Sequence, residues 1–254
     1  MSETAMAHQR FHFFRYAAPP EFYRLAGRAA PWFAALAVLL GLGGLYLGFF
    51  LAPVDAQQGQ VYRIMFVHVP AAWMAMFLYL VMAFWAALGL IFNTRMSAVM
   101  ACALAPSGAL MALLALLTGA LWGRPAWGTY WDWDARMTST LILLFLYMGF
   151  MALHSAIDDT RRADRAAGVL ALVGVVNVPI IYFSVQWWNS LHQGSSITLG
   201  RAPSMATPML MAMLVMSLAA WMYCIAVALT RARAIVLERE RDSDWVRALV
   251  GGDA

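Results

Sequence analysis

VPAAWMAMFLYLVMAFWAALGLIF, residues Val69–Phe92, contains no Asp, Glu, Lys or Arg. An α-helix needs about 20 consecutive apolar residues to cross roughly 30 Å of hydrocarbon. Within hydrocarbon only helices and closed barrels satisfy their own backbone groups. Working outward, five more segments lack charged residues: Pro31–Leu51, Ser97–Trp122, Thr138–Ile157, Ala166–Trp187 and Ser204–Thr230. The 17 basic and 13 acidic side chains all fall between or beyond these six segments, as the cost of a charge at the bilayer centre requires. The chain is 63% hydrophobic and 12% charged, against about 25% charged in a soluble domain, and its mean hydropathy is +0.68. The expected fold is all-α: a polytopic bundle of six transmembrane helices.

No polar interval between the spans is long enough to fold separately, so residues 1–254 read as one membrane domain. Asn93–Met96 leaves room only for a tight turn, and Pro106 is a candidate kink in the third span. Asn177 and Pro179 suggest an interruption of the fifth. Glycines 41, 43, 44 and 48 match a small-xxx-small packing pattern. The stretch Arg231–Arg247 alternates Arg with Glu and Asp, as a helix with a solvated charged face would. A signal peptide is the rival reading of the first apolar block, with Val54-Asp55-Ala56 as a cleavage site. Its core is too long for an h-region, so it reads as an uncleaved helix. Cys102 and Cys224 both lie in apolar stretches with no CxxC or zinc spacing.

The arginines orient the bundle. All 17 basic residues are Arg. With the N-terminus inside, 13 fall on the inner side: 10, 15, 24, 28, 95, 161, 162, 165, 231, 233, 239, 241 and 247. Only Arg63, Arg124, Arg136 and Arg201 fall outside. The positive-inside bias then places both termini in the cytoplasm. It also explains the net charge of +4 without nucleic acid as a partner; membrane lipid is the expected surrounding.

The outer segments Ala52–His68, Gly123–Met137 and Trp188–Pro203 carry the unusual chemistry. Six of the 11 tryptophans, at 122, 127, 131, 133, 187 and 188, sit on or beside the last two. An aromatic belt accounts for some, but a belt would occupy both faces. A cluster on one face, beside Arg and Asp, also suits a flat apolar ligand with a charged edge. His68 and His192 reach similar depth on that face. Either alone reads as an interfacial histidine bonded to backbone; as a pair, axial ligation of haem iron competes with that reading. Arg63 and Arg136 are the nearest partners for porphyrin carboxylates, which the planar guanidinium bonds bidentately. Arg124 and Arg201 are alternatives or plain loop charges. His8 and His12 lie in the polar N-terminal segment, and His154 beside Asp158 and Asp159 reads as a solvated helix end. Asp132 and Asp134 lack a nucleophile for acid–base work; Asp134 reads instead as orienting the loop or an Arg.

The loop Trp127-Gly-Thr-Tyr-Trp-Asp-Trp-Asp-Ala-Arg-Met-Thr-Ser139 resembles the tryptophan-rich WWD signature of haem-handling proteins in cytochrome c biogenesis. Val67-His-Val-Pro-Ala-Ala-Trp73 and Trp187-Trp-Asn-Ser-Leu-His-Gln193 resemble the flanking histidine motifs of one branch, the CcmC family of haem exporter proteins. Six spans and the length agree. The larger cytochrome c synthases share the WWD loop but are longer, with additional histidines in the membrane. The resemblance implies haem b, with His68 and His192 as axial iron ligands. It implies a haem-contacting loop of Trp122, Trp127, Trp131, Trp133 and Asp134, assisted by Arg63 and Arg136. Tyr130 stands where many relatives have Trp. Implied partners are a membrane-anchored periplasmic haem chaperone, CcmE, an ABC-type pair, CcmA and CcmB, and a small helical subunit, CcmD. The implied place is the bacterial inner membrane, with the haem site facing the periplasm.

The expected function is haem binding and delivery at the outer face. No conventional enzyme is expected beyond a haem-lyase-like role in attaching haem to the chaperone. An ABC-type permease moving haem or another substrate is the alternative, although no span holds a charged pathway residue. A quinol-oxidising cytochrome b ranks third, since such proteins commonly bury histidine pairs for two haems.

Overall fold

The structure is a computed structural model describing residues 18–194, 197, 200 and 202–251. The expectations placed on His8, His12, Arg10, Arg15 and Arg201 lie outside those residues. Six helical spans are long and apolar enough to cross a membrane: Pro19–Leu51, Val61–Phe92, Arg95–Trp127, Ala135–Ser155, Thr160–Trp187 and Thr207–Arg239. They correspond one to one with the six charge-free segments, and among the described residues there is no β-strand.

The helices overrun the apolar segments at several ends. Helix α1 (Pro19–Tyr46) starts twelve residues before Pro31 and closes in a π-helical turn, Leu47–Leu51. A 3-10 turn, Val61–Ile64, leads into α2 (Met65–Phe92), so Pro70 lies inside the helix rather than opening it. Asn93, with φ of 52°, ends α2 in the left-handed conformation that commonly terminates helices. Helix α3 (Arg95–Trp127) continues through Pro106 and Pro125. Its 33 residues, at 1.5 Å each, extend to roughly 50 Å, so its last turns project past the hydrocarbon. The second outer loop is therefore shorter than the sequence suggests, running from Gly128 to Asp134 before α4 (Ala135–Ser155).

The fifth span is broken, as Asn177 and Pro179 suggest, into α5 (Thr160–Gly174) and α6 (Asn177–Trp187). Pro179 has no N–H to offer the Val175 carbonyl; that carbonyl accepts instead from Val178 N at 3.1 Å. The Asn177 amide donates to the Ser139 carbonyl on α4 at 2.8 Å, so the break is internally satisfied. Helix α7 (Thr207–Arg239) carries on past Thr230, and after a turn α8 (Asp244–Val250) follows.

The core is built where small residues let helices approach. Helix α3 buries Ala101, Ala105, Ala109, Ala112 and Ala115. Gly108 faces Tyr147 of α4 so closely that a Cβ there would fall within the phenol ring. Tyr147 is fully buried, packs edge-on against Tyr79 at 5.0 Å, and donates its hydroxyl to the Ala75 carbonyl at 2.8 Å. Helix α1 packs antiparallel on α7: Gly27 lies beside Arg233 and Gly44 beside Met216. Of the four glycines expected to mediate packing, 41, 44 and 48 face a neighbouring helix and Gly43 does not.

Even parity brings the start of α1 and the end of α7 to one end of the bundle. That end is tied by ion pairs. Asp164 on α5 accepts a bidentate pair of bonds from Arg239 on α7, at 2.8 and 2.9 Å, and lies 3.0 Å from His154 Nε2 on α4. His154 is thus not a solvated helix end. Its partner is ten residues away, brought in by the α4–α5 turn rather than supplied by the adjacent Asp158 and Asp159.

Candidate functional site

At the opposite end of the bundle, α2, α3, α4, α6 and α7 surround a cavity of about 570 Å³, within the roughly 300–1,000 Å³ of ligand sites. Both His68 and His192 line it, together with Trp122, Trp127 and Arg136. Met205, just before α7, and Met209 and Met213, one turn apart on it, form an apolar side. The loop after α1 covers part of the mouth through Asp55, Gln57 and Gln58. This loop is ordered by its own polar groups. Asp55 Oδ1 accepts from the N–H groups of Gln57 and Gln58 at 2.9 and 2.8 Å, and Tyr62 donates to the Pro53 carbonyl at 2.6 Å.

His68 stands one turn into α2, against α3. Its Nδ1 lies 3.1 Å from Thr118 Oγ1, and its ring meets Trp122 edge-on at 5.7 Å. Trp122 is held in turn by its Nε1–H donating to Gln58 Oε1 at 2.6 Å. His192 arrives from the chain beyond α6. Its ring lies 4.9 Å from that of Trp127, and its Nδ1 is 3.4 Å from Asp134 Oδ2.

Asp134 organises this side of the cavity. As N-cap of α4 it accepts from the Met137 N–H at 2.7 Å, satisfying one of the helix's unpaired donors. The Ser190 hydroxyl donates to its other oxygen and also accepts from the His192 N–H at 3.0 Å. The carboxylate is buried, with its side chain 3% exposed. Burial alone would raise its pKa; bonds from His192, Ser190 and Met137 outweigh that and hold it at about 2. Asp134 is therefore an anion at neutral pH, orienting the loop as its sequence position suggests.

The remaining expected residues separate. Arg136 lines the cavity while its guanidinium donates to Ser184 Oγ and the Tyr182 carbonyl, both at 3.3 Å. Arg63 is not among the lining residues: it donates to the carbonyls of Gly48 and Ala52, which the end of the π-helical turn leaves free. Arg124 bonds the Gly128 carbonyl that closes α3. Trp131 and Trp133 pack edge-on at 5.4 Å outside the cavity lining; Trp133 is 74% exposed, and Trp131 Nε1 is buried with no acceptor among the described residues. Trp187 stacks on Phe183 and meets Trp188 edge-on, an exposed aromatic ladder suited to a membrane interface. The sequence reading did not find Gln58, Thr118 and Ser190. Single polar residues in a loop or span carry no signal until folding sets them beside an imidazole or indole.

Fold and site together define a polytopic α-helical membrane protein with two imidazoles converging on one cavity at one end of the bundle. The chain belongs to the Heme exporter protein C family, whose model matches residues 12–247. It is 45% identical over 235 residues to Heme exporter protein C of Escherichia coli (strain K12), covering 92% of this chain and 94% of that protein. Against Heme exporter protein C of Bradyrhizobium diazoefficiens identity is 50% over 222 residues, 87% and 84% of the two chains. Against that of Haemophilus influenzae it is 46% over 235 residues, 92% and 95%.

Proposed function

We propose that this protein binds haem b in the cavity between His68 and His192 and hands it to a periplasmic haem chaperone of the CcmE kind for cytochrome c maturation. The carrying observation is that two imidazoles from distant parts of the chain line one cavity, each with its Nδ1 engaged by a neighbour. That leaves an Nε2 on each for iron, the arrangement in which metal-ligating histidines are usually held. Trp122 and Trp127 supply flat walls, Met205, Met209 and Met213 an adaptable thioether surface, and Arg136 a cation for a carboxylate. The unpartnered Trp131 Nε1–H is a further donor in the loop. Arg63 acts indirectly, by binding the Gly48 and Ala52 carbonyls that precede the loop of Asp55, Gln57 and Gln58 in the cavity lining, and Trp133 is exposed where an incoming chaperone would touch.

In this reading the cavity end faces the periplasm and both termini the cytoplasm of a bacterium with an inner membrane, and the positive-inside bias of the arginines supports that orientation. The whole chain acts as one membrane domain, working beside subunits of the CcmA, CcmB and CcmD kinds. The experiment is an absorption spectrum of the purified protein. Copurifying haem with a low-spin, two-nitrogen spectrum supports the reading; loss of haem is expected when His68→Ala and His192→Ala are combined. Undiminished haem in the double variant refutes it.

A further inference from the structure

We propose that Thr118 is a positioning residue that sets the tautomer of His68, keeping its proton on Nδ1 and its Nε2 bare for iron. The inference rests on the haem reading and deepens it. A threonine hydroxyl has one hydrogen to give. Thr118 Oγ1 lies 2.6 Å from the Leu114 carbonyl one turn back on α3, and its hydrogen is committed there. Its 3.1 Å contact with His68 Nδ1 therefore uses the threonine oxygen as acceptor, and the imidazole nitrogen must be the donor. A neutral imidazole protonated on Nδ1 has its lone pair on Nε2. Among the described residues no hydrogen-bond partner faces that nitrogen, and the side chain lines the cavity.

The neighbouring residue makes the contact possible. A Cβ on Gly119 would stand 3.0 Å from His68 Cε1 and 3.5 Å from Nδ1, so any larger residue presses the ring away from the hydroxyl. Thr118 and Gly119 together form a seat on α3 that fixes both the angle and the proton of a side chain carried by α2. The two imidazoles are then chemically unequal: Asp134, an anion, polarises the Nδ1–H of His192, while a neutral hydroxyl polarises that of His68. Polarising the distal N–H raises the basicity of the ligating nitrogen, so the His68 bond to iron depends on Thr118 in strength and in reduction potential.

The test uses the full-length protein in detergent, titrated with ferric haem and followed by absorption and redox titration. Thr118→Val, which keeps the shape and removes the acceptor, is expected to weaken haem binding about 10–100-fold and to raise the midpoint potential. Thr118→Ser is expected to restore both. Gly119→Ala, which keeps the hydroxyl but displaces the ring, is expected to weaken binding without rescue by serine at position 118. Unchanged affinity and potential in Thr118→Val, with His68→Ala defective, overturn the tautomer inference and leave the haem reading standing. Failure of Thr118→Ser to restore the potential overturns it equally. Wild-type binding by His68→Ala refutes the haem reading itself, and this inference with it. Thermal melting of each variant separates a folding defect from a ligand defect, and if Thr118→Val melts early the Gly119→Ala and Thr118→Ser pair decides.

Discussion

Replacing Asp134 with Asn is expected to destabilise the protein by about 2 kcal/mol at neutral pH, and the loss should vanish in acid. The carboxylate sits at about 2 instead of 3.8, and at 1.36 kcal/mol per pH unit that difference is worth about 2.4 kcal/mol. The side chain is almost fully buried, so solvent screening removes little of this. The sign follows from the depressed value: the stabilisation is complete above the unfolded pKa near 3.8 and fades as pH falls towards 2. Asparagine preserves the shape and remains a good N-cap, so the bond from the Met137 N–H survives and the change isolates the charge facing Ser190 and His192. The assay is chemical denaturation of wild type and Asp134→Asn in detergent, from pH 7 down to the acid limit of the micelle. Two curves that differ by about 2 kcal/mol at pH 7 and converge between pH 4 and 2 are expected. A variant as stable as wild type at pH 7, or a deficit that persists unchanged in acid, would show that the carboxylate's bonds do not stabilise the fold as derived.

Two further substitutions probe the bundle itself. Gly108→Ala should lower the melting temperature, because the new methyl overlaps the Tyr147 ring and overpacking of this kind costs about 1–3 kcal/mol; an unchanged melting curve would mean that α3 and α4 separate freely. Arg239→Ala strips the bidentate partner from the half-buried Asp164 and should cost about 3 kcal/mol, towards the lower end of the range for breaking a buried pair. Combining it with Asp164→Asn should recover part of that loss in the same denaturation measurement, and no recovery would contradict the pairing.

The number of spans was legible in sequence because a bilayer imposes one simple length and one simple exclusion: about 20 residues without charge. The same exclusion made the break at Asn177 and Pro179 visible, since a missing N–H and a buried amide are conspicuous among aliphatic residues. Helix ends were less legible. Nothing in hydropathy requires α3 to stop at Trp122, and it runs on to Trp127, carrying Trp122 and Trp127 into the cavity lining on rigid helix rather than on a loop.

For the site, the sequence by itself supplied the residue types and their shared side of the membrane: His68, His192, the tryptophans, Arg136 and the orienting Asp134. Tertiary structure decided which of them meet. Arg63 and Arg136 are alike in sequence, yet one binds the carbonyls at the end of α1 and the other lines the cavity. Thr118 is 50 residues from His68 and Asp134 is 58 from His192, separations at which local pattern says nothing. Helix packing alone brings these partners within hydrogen-bond reach, because a contact across a bundle depends on the rotation and depth of two helices. Periodicity within one helix does not contain either quantity.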